Sequence, residues 1–193
     1  ATSSTAYGYE SGRGTANYNN QGGVYVGYSA GYSAGTNSDY NTMVGYNSGY
    51  GVTTGARNVL IGQSTIAASY NQVTTGSNNI SIGNDVAVAS ATASNQLNIG
   101  NLIYGTNLDG SGTTLSTGNI GIGTTSPYAK LSVVGEVVAS HFTATSTTAT
   151  STFAGGLAIE TSGLVYDYSS NNVGIGTVAP QEAFELFAPA GST

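Results

Sequence analysis

Thr42-Met43-Val44-Gly45-Tyr46-Asn47-Ser48-Gly49 sets Thr42 and Val44 two residues apart, follows them at once with Gly45, and runs through Tyr, Asn and Ser to a second glycine. Two-residue spacing puts Thr42 and Val44 on one face of a short strand. A glycine directly after them serves a turn or the close approach of a neighbouring backbone. The pattern repeats in both directions along the chain. An apolar residue or Tyr precedes Gly at Tyr7-Gly8, Val26-Gly27, Val44-Gly45, Ile61-Gly62, Ile82-Gly83 and Ile99-Gly100, with glycine spacings of 19, 18, 17, 21 and 17 residues. Two places before each apolar position stands another strand former: Thr5, Val24, Thr42, Val59, Ile80 and Leu97. Internal periods of this size mark repeat architectures.

Asn-rich text such as Arg57-Asn58, Ser77-Asn78-Asn79 and Ser94-Asn95-Gln96 precedes the strands. Such side chains bond local backbone and tolerate left-handed geometry. At about 3.3 Å per residue, one repeat traces about 60 Å, enough for one coil of a solenoid. The expected fold is therefore all-β: stacked β-coils, six of them over residues 1–104. Their expected core is Val24, Val26, Val44, Val59, Ile61, Ile80, Ile82, Leu97 and Ile99. Two apolar residues per coil make a thin core. Either the coils close as a single-chain β-solenoid, or three chains pool their faces in a trimeric β-roll.

Composition narrows the function. The 193 residues are 39% hydrophobic and only 6% charged, so Ser, Thr, Asn, Gly and Tyr hydroxyls must face water. Net charge is -6, and Arg13, Arg57 and Lys130 are far apart. Without clustered cations no nucleic-acid footprint is expected. No apolar run approaches the roughly 20 residues of a membrane helix, so no membrane insertion is expected. Zero Cys excludes disulfides and thiolate metal sites. The chain begins at Ala1 without an export leader, and is read as a mature form or a fragment.

The second half carries a longer duplicate. Gly118-Asn119-Ile120-Gly121-Ile122-Gly123-Thr124-Thr125-Ser126-Pro127 returns 53 residues later as Asn171-Asn172-Val173-Gly174-Ile175-Gly176-Thr177-Val178-Ala179-Pro180. Each copy precedes a strand-like stretch, Lys130 to Gly135 and Ala183 to Phe187. These read as β-modules with proline-marked turns. The expected organisation is stalk module 1 over 105–142, a Thr/Ser-rich connector over 143–153 and stalk module 2 over 154–193.

The run Leu97 to Gly105 followed by Gly118 to Gly135 resembles the stalk modules of bacteriophage tail fibres and related large bacterial surface proteins. The earlier coils are similar to the head repeats of trimeric autotransporter adhesins, although the coils here are longer. The resemblance implies a homotrimer with a triple-stranded stalk, exposed outside the cell on a bacterial surface or a virion, with structural or adhesive duty. The partners it implies are further copies of the chain and a host glycan or cell surface. Two rival expectations are an end-to-end polymerising solenoid filament and a glycan-degrading tail spike. A left-handed β-helix acyltransferase has coils of similar length, but the sequence offers it no persuasive catalytic His.

Little else suggests chemistry, and neither an enzyme nor a cofactor is expected. Gly174-x-Gly176-x-x-Ala179 fits a dinucleotide fingerprint, yet Pro180 and strand-like text stand where a helix should begin. His141 is alone, so no multi-His metal site is expected. Glu10, Asp39, Asp85, Asp109, Glu136, Glu160, Asp167, Glu182 and Glu185 are dispersed, and Asn107 to Gly112 resembles half a calcium loop without its distal Glu. Tyrosine is more suggestive: nine of 14 fall at 7, 9, 18, 25, 28, 32, 40, 46 and 50. Stacking the coils would align Tyr9, Tyr28 and Tyr46 as an aromatic ladder, for packing or for a ligand.

Overall fold

Each strand-former–x–apolar unit before a repeat glycine becomes a three-residue strand in the computed structural model, which describes residues 3–14, 20–65, 73–146, 148, 151–159, 163–167 and 169–187. These strands are β1 (Thr5–Tyr7), β2 (Val24–Val26), β3 (Thr42–Val44), β4 (Val59–Ile61), β5 (Ile80–Ile82) and β6 (Leu97–Ile99). They pair in parallel and in register, so that Thr5, Val24, Thr42, Val59, Ile80 and Leu97 stand in one column and Tyr7, Val26, Val44, Ile61, Ile82 and Ile99 in another. Six parallel rungs joined by five turns make a β-solenoid, and the described residues contain no helix. Tyr18, Thr147, Ala149, Thr150 and Glu160 lie outside the described residues.

Two devices hold the rungs in register. The repeat glycine donates its N–H one rung back, as in Gly45 to Val26 O at 2.8 Å and Gly62 to Val44 O at 2.8 Å. Gly27, Gly45, Gly62 and Gly83 do so at φ between +127° and +136°, a conformation side chains rarely adopt, and Gly8 after the first strand shares it at +129°. At the opposite end of each strand, Tyr40, Arg57, Asn78 and Asn95 occupy corresponding left-handed positions (φ +56° to +63°). The residue after each is buried: Asn41, Asn58, Asn79 and Gln96. The Oδ1 atoms of Asn41, Asn58 and Asn79 accept the backbone N–H of Asn58, Asn79 and Gln96 at 2.8, 2.9 and 2.9 Å. The expected bonding to local backbone is present at Asn41 Nδ2, which donates to Ser38 O at 3.0 Å, and at Gln96 Nε2, which donates to Ala93 O at 2.8 Å. The Oδ1 atoms also bridge coil to coil, because burial leaves the next rung as their partner.

The core differs from the expected one. The buried apolar residues of the coil strands are the middle ones, Tyr25, Met43 and Leu60, which pack with Ala30, Ala34, Val52, Val73 and Val88. The rows assigned to the core (Val24, Val59, Ile80, Leu97 and Val26, Val44, Ile61, Ile82, Ile99) face outward and are partly exposed. Period-two alternation says that two residues share a face, but the turns decide which face is enclosed. Here the turns close over the middle residue. Gly23 shows the packing: a Cβ there would meet the Tyr25 ring.

The break expected after residue 104 falls inside a strand. The chain reverses after β6 through Gly100 and Asn101, both at positive φ, and enters β7 (Ile103–Gly105) antiparallel to β6. The stalk text then adds β8 (Ile120–Ile122) and β9 (Leu131–Val133) to the same nine-stranded sheet. The first compact unit accordingly runs from Ala1 to Val138 and the second from Ala139 to Thr193.

The second unit is a four-stranded sheet of β10 (Gly156–Ile159), β11 (Leu164–Asp167), β12 (Asn172–Ile175) and β13 (Phe184–Leu186). Its pairings are antiparallel, antiparallel and parallel, the same series as β6 to β9. The 53-residue duplicate is thus also a duplicate of structure. Asn119 Nδ2 donates to Pro127 O at 3.1 Å in one copy, and Asn172 Nδ2 to Pro180 O at 2.9 Å in the other.

Candidate functional surface

Tyr9, Tyr28 and Tyr46 each follow a repeat glycine, so the rung-to-rung register sets them one above another. Their ring centroids are 5.3 Å apart at both steps, with interplanar angles of 19° and 13°. The three remain 66%, 46% and 48% exposed. Because Tyr28 has a ring against each of its faces, its own exposure consists of edge and hydroxyl. A sugar that stacks on an aromatic face finds none at Tyr28 and only the outer faces of Tyr9 and Tyr46.

A second column escaped the sequence reading. Tyr32 and Tyr50 stack at 4.6 Å and 3°. Arg13 lies over Tyr32, 5.0 Å from its centroid, and its Nη1 donates to the Tyr32 hydroxyl. Glu10 sits 3.5 Å from the same guanidinium. The signal was present: Arg13, Tyr32 and Tyr50 each stand four residues after a member of the first column. Tyr25 departs from both columns, since it is buried inside its coil.

The columns join one coil to the next, so Tyr28→Ala removes two stacks at once. The expected cost is about 1–2 kcal/mol, at about 0.5–1.5 kcal/mol per aromatic pair and reduced by exposure. Thermal unfolding followed by circular dichroism measures it. An unchanged midpoint would show that the column adds nothing to the stack.

The remaining candidates resolve into turns and strands. Asp109 accepts from Thr117 N at 2.7 Å and Thr117 Oγ1 at 2.6 Å, one bond to each carboxylate oxygen. The Thr117 hydroxyl bond, then its N–H bond, hold the Asp109 carboxyl below the usual range. Asp167 is lowered in the same way, first by the Ser170 hydroxyl and then by Ser169. Asn107 to Gly112 is therefore a turn closed on Thr117. Gly174 lies in β12 and Gly176 just beyond it, and the residues that follow form turns rather than the helix a dinucleotide needs. His141 is exposed beside Ser140, 3.2 Å from its Oγ. Among the described residues no three His, Asp or Glu side chains gather closely enough to hold a metal ion.

The largest feature is the outer face of the long sheet. Register carries the two outer columns past β6: Leu97, Gly105, Ile120 and Leu131 in one, Ile99, Ile103, Ile122 and Val133 in the other. From Thr5 to Val133 neither column contains a charged residue. The exposed β11 to β13 residues Leu164, Tyr166, Ile175, Phe184 and Leu186 give the second unit a face of the same kind. No family model, curated protein or solved structure matches this chain.

Proposed function

We propose that the chain is a segment of an extracellular structural fibre that works as a homotrimer, a spacer that holds other parts of a bacterial or virion surface at a distance. The observation that carries this reading is the uncharged two-column face running through nine consecutive strands, aliphatic except at Thr5, Tyr7, Thr42 and Gly105. Nine strands at about 4.8 Å spacing extend about 38 Å, and three-residue strands make the face about 10 Å wide. Its flat area is then about 400 Å², about half of what each partner buries in a standard specific pair. Three copies around a shared axis give each face two neighbours and bring the flanking turns into contact as well. The chain as a whole is rich in Ser, Thr, Asn and Tyr and only 6% charged, suited to a hydrated shaft.

Light scattering on the full chain tests the proposal. The expected molar mass is three times the 19.3 kDa of one chain, independent of concentration down to the micromolar range. A mass of one chain at all concentrations would refute it.

A further inference from the structure

The apolar content of the coils changes sides along the chain. In the early rungs the inward residues are large, Tyr25, Met43 and Leu60, while the outward ones are Val24, Val26, Thr42, Val44, Val59 and Ile61, of which only Ile61 is as large as those of the later rungs. From β5 onward the inward positions are Ser81, Asn98, Gly121 and Ser132, small or polar, with Tyr104 of β7 the one large residue among them and only partly buried. Over the same rungs the outward positions enlarge to Ile80, Ile82, Leu97, Ile99, Ile120 and Ile122. The polar interior is satisfied locally, since Ser81 Oγ donates to Val86 O at 3.0 Å and Asn98 Nδ2 to Ala87 O at 2.5 Å. Hydrogen bonds of this kind fix geometry but contribute less net stability than a filled apolar interior. The early coils therefore enclose large apolar strand residues, whereas strands β5, β6, β8 and β9 carry theirs outside and the coils around β5 keep only the apolar loop residues Val73 and Val88 buried.

From this gradient we infer that self-association is concentrated in the face of residues 80–133, and that this half of the first unit reaches full stability only against another copy. The inference rests on the homotrimer reading and adds where the affinity lies. A second copy is the occupant because the face has a repeat of about 4.8 Å, so a partner must present branched apolar groups at that interval over several rungs, and another copy does so rung for rung. The face offers no charge to select an ionic partner, and its enlarged half is continuous with the rest of the nine-stranded sheet.

Two measurements on the full chain test this. In sedimentation equilibrium, Ile82→Ser and Ile122→Ser are each expected to weaken association at least tenfold, and Val26→Ser less than threefold. In hydrogen exchange of the unaltered chain, dilution below the association midpoint is expected to speed exchange at least tenfold in 80–133 while 24–60 keep their protection. The exchange test needs no variant, so misfolding of a substituted chain does not decide the matter. An unaltered chain that sediments as a trimer but dissociates as readily with Val26→Ser, or loses protection uniformly on dilution, would overturn the graded interface alone. An unaltered chain that sediments as a single copy throughout would overturn the homotrimer reading, and this inference with it.

Discussion

Replacing Gly45 with alanine is expected to destabilise the first unit by about 2–6 kcal/mol. Two costs combine at that residue. Its φ of +132° lies where side chains are strained by about 1–3 kcal/mol. A Cβ would also run into the carbonyl of Gly62 on the next rung, which is held by its own place in the ladder and has no flexible end to move aside. Overpacking of rigid surroundings adds about 1–3 kcal/mol. Since Gly8, Gly27 and Gly62 face the next glycine carbonyl in the same way, a shift at one rung is passed to its neighbours. Urea unfolding measures the loss. Gly112→Ala is the control: φ is +57° there and nothing lies within 4 Å of the new Cβ, so only the left-handed cost of about 1–2 kcal/mol applies. Equal effects at the two positions would mean that the rungs do not approach as closely as described.

The second large effect is expected at Asn58. Its side chain is fully buried, its Nδ2 donates to Gly76 O at 2.9 Å, and its Oδ1 accepts from Asn79 N at 2.9 Å. Asn58→Ala leaves a buried carbonyl and a buried N–H without these partners, at about 1–3 kcal/mol each, so about 2–6 kcal/mol in total. Asn58→Asp separates the contributions, because it keeps an acceptor for Asn79 N–H while replacing the donor to Gly76 with a buried carboxylate. That variant is expected to regain stability as the pH falls through the raised carboxyl pKa, since protonation removes the charge and restores a donor. Denaturation midpoints for Asn58→Asp at pH 7 and pH 5 provide the reading. A pH-independent midpoint would indicate that the site is wetter than its burial implies.

The rungs themselves were legible in the sequence because glycine and two-residue alternation are local signals. Gly45 must follow Val44 whatever the rest of the chain does, and all six parallel strands fall where that spacing put them. The enclosed face was not legible, because Val24 and Val26 share a side in either arrangement. What decides it is the path of the chain through left-handed corners such as Arg57, where no sequence preference for φ > 0 gives warning. The Tyr9–Tyr28–Tyr46 column was legible since each ring follows a repeat glycine directly. Its consequence for ligands was not, because coverage of the Tyr28 faces depends on spacing between rungs. The stalk boundary was misplaced for a similar reason: Asn119 to Gly123 does mark a new module, but β7 reverses the chain so that this module continues the sheet already begun.

The account depends on the coils lying side by side along one axis, with the aliphatic face turned toward other copies. A cryo-electron microscopy map of the assembled particle tests both at once. It should show the strands of the first unit in layers about 4.8 Å apart, with Ile82, Ile99 and Ile122 of three chains facing a common centre. A map in which these side chains face solvent around the outside of the particle would contradict it.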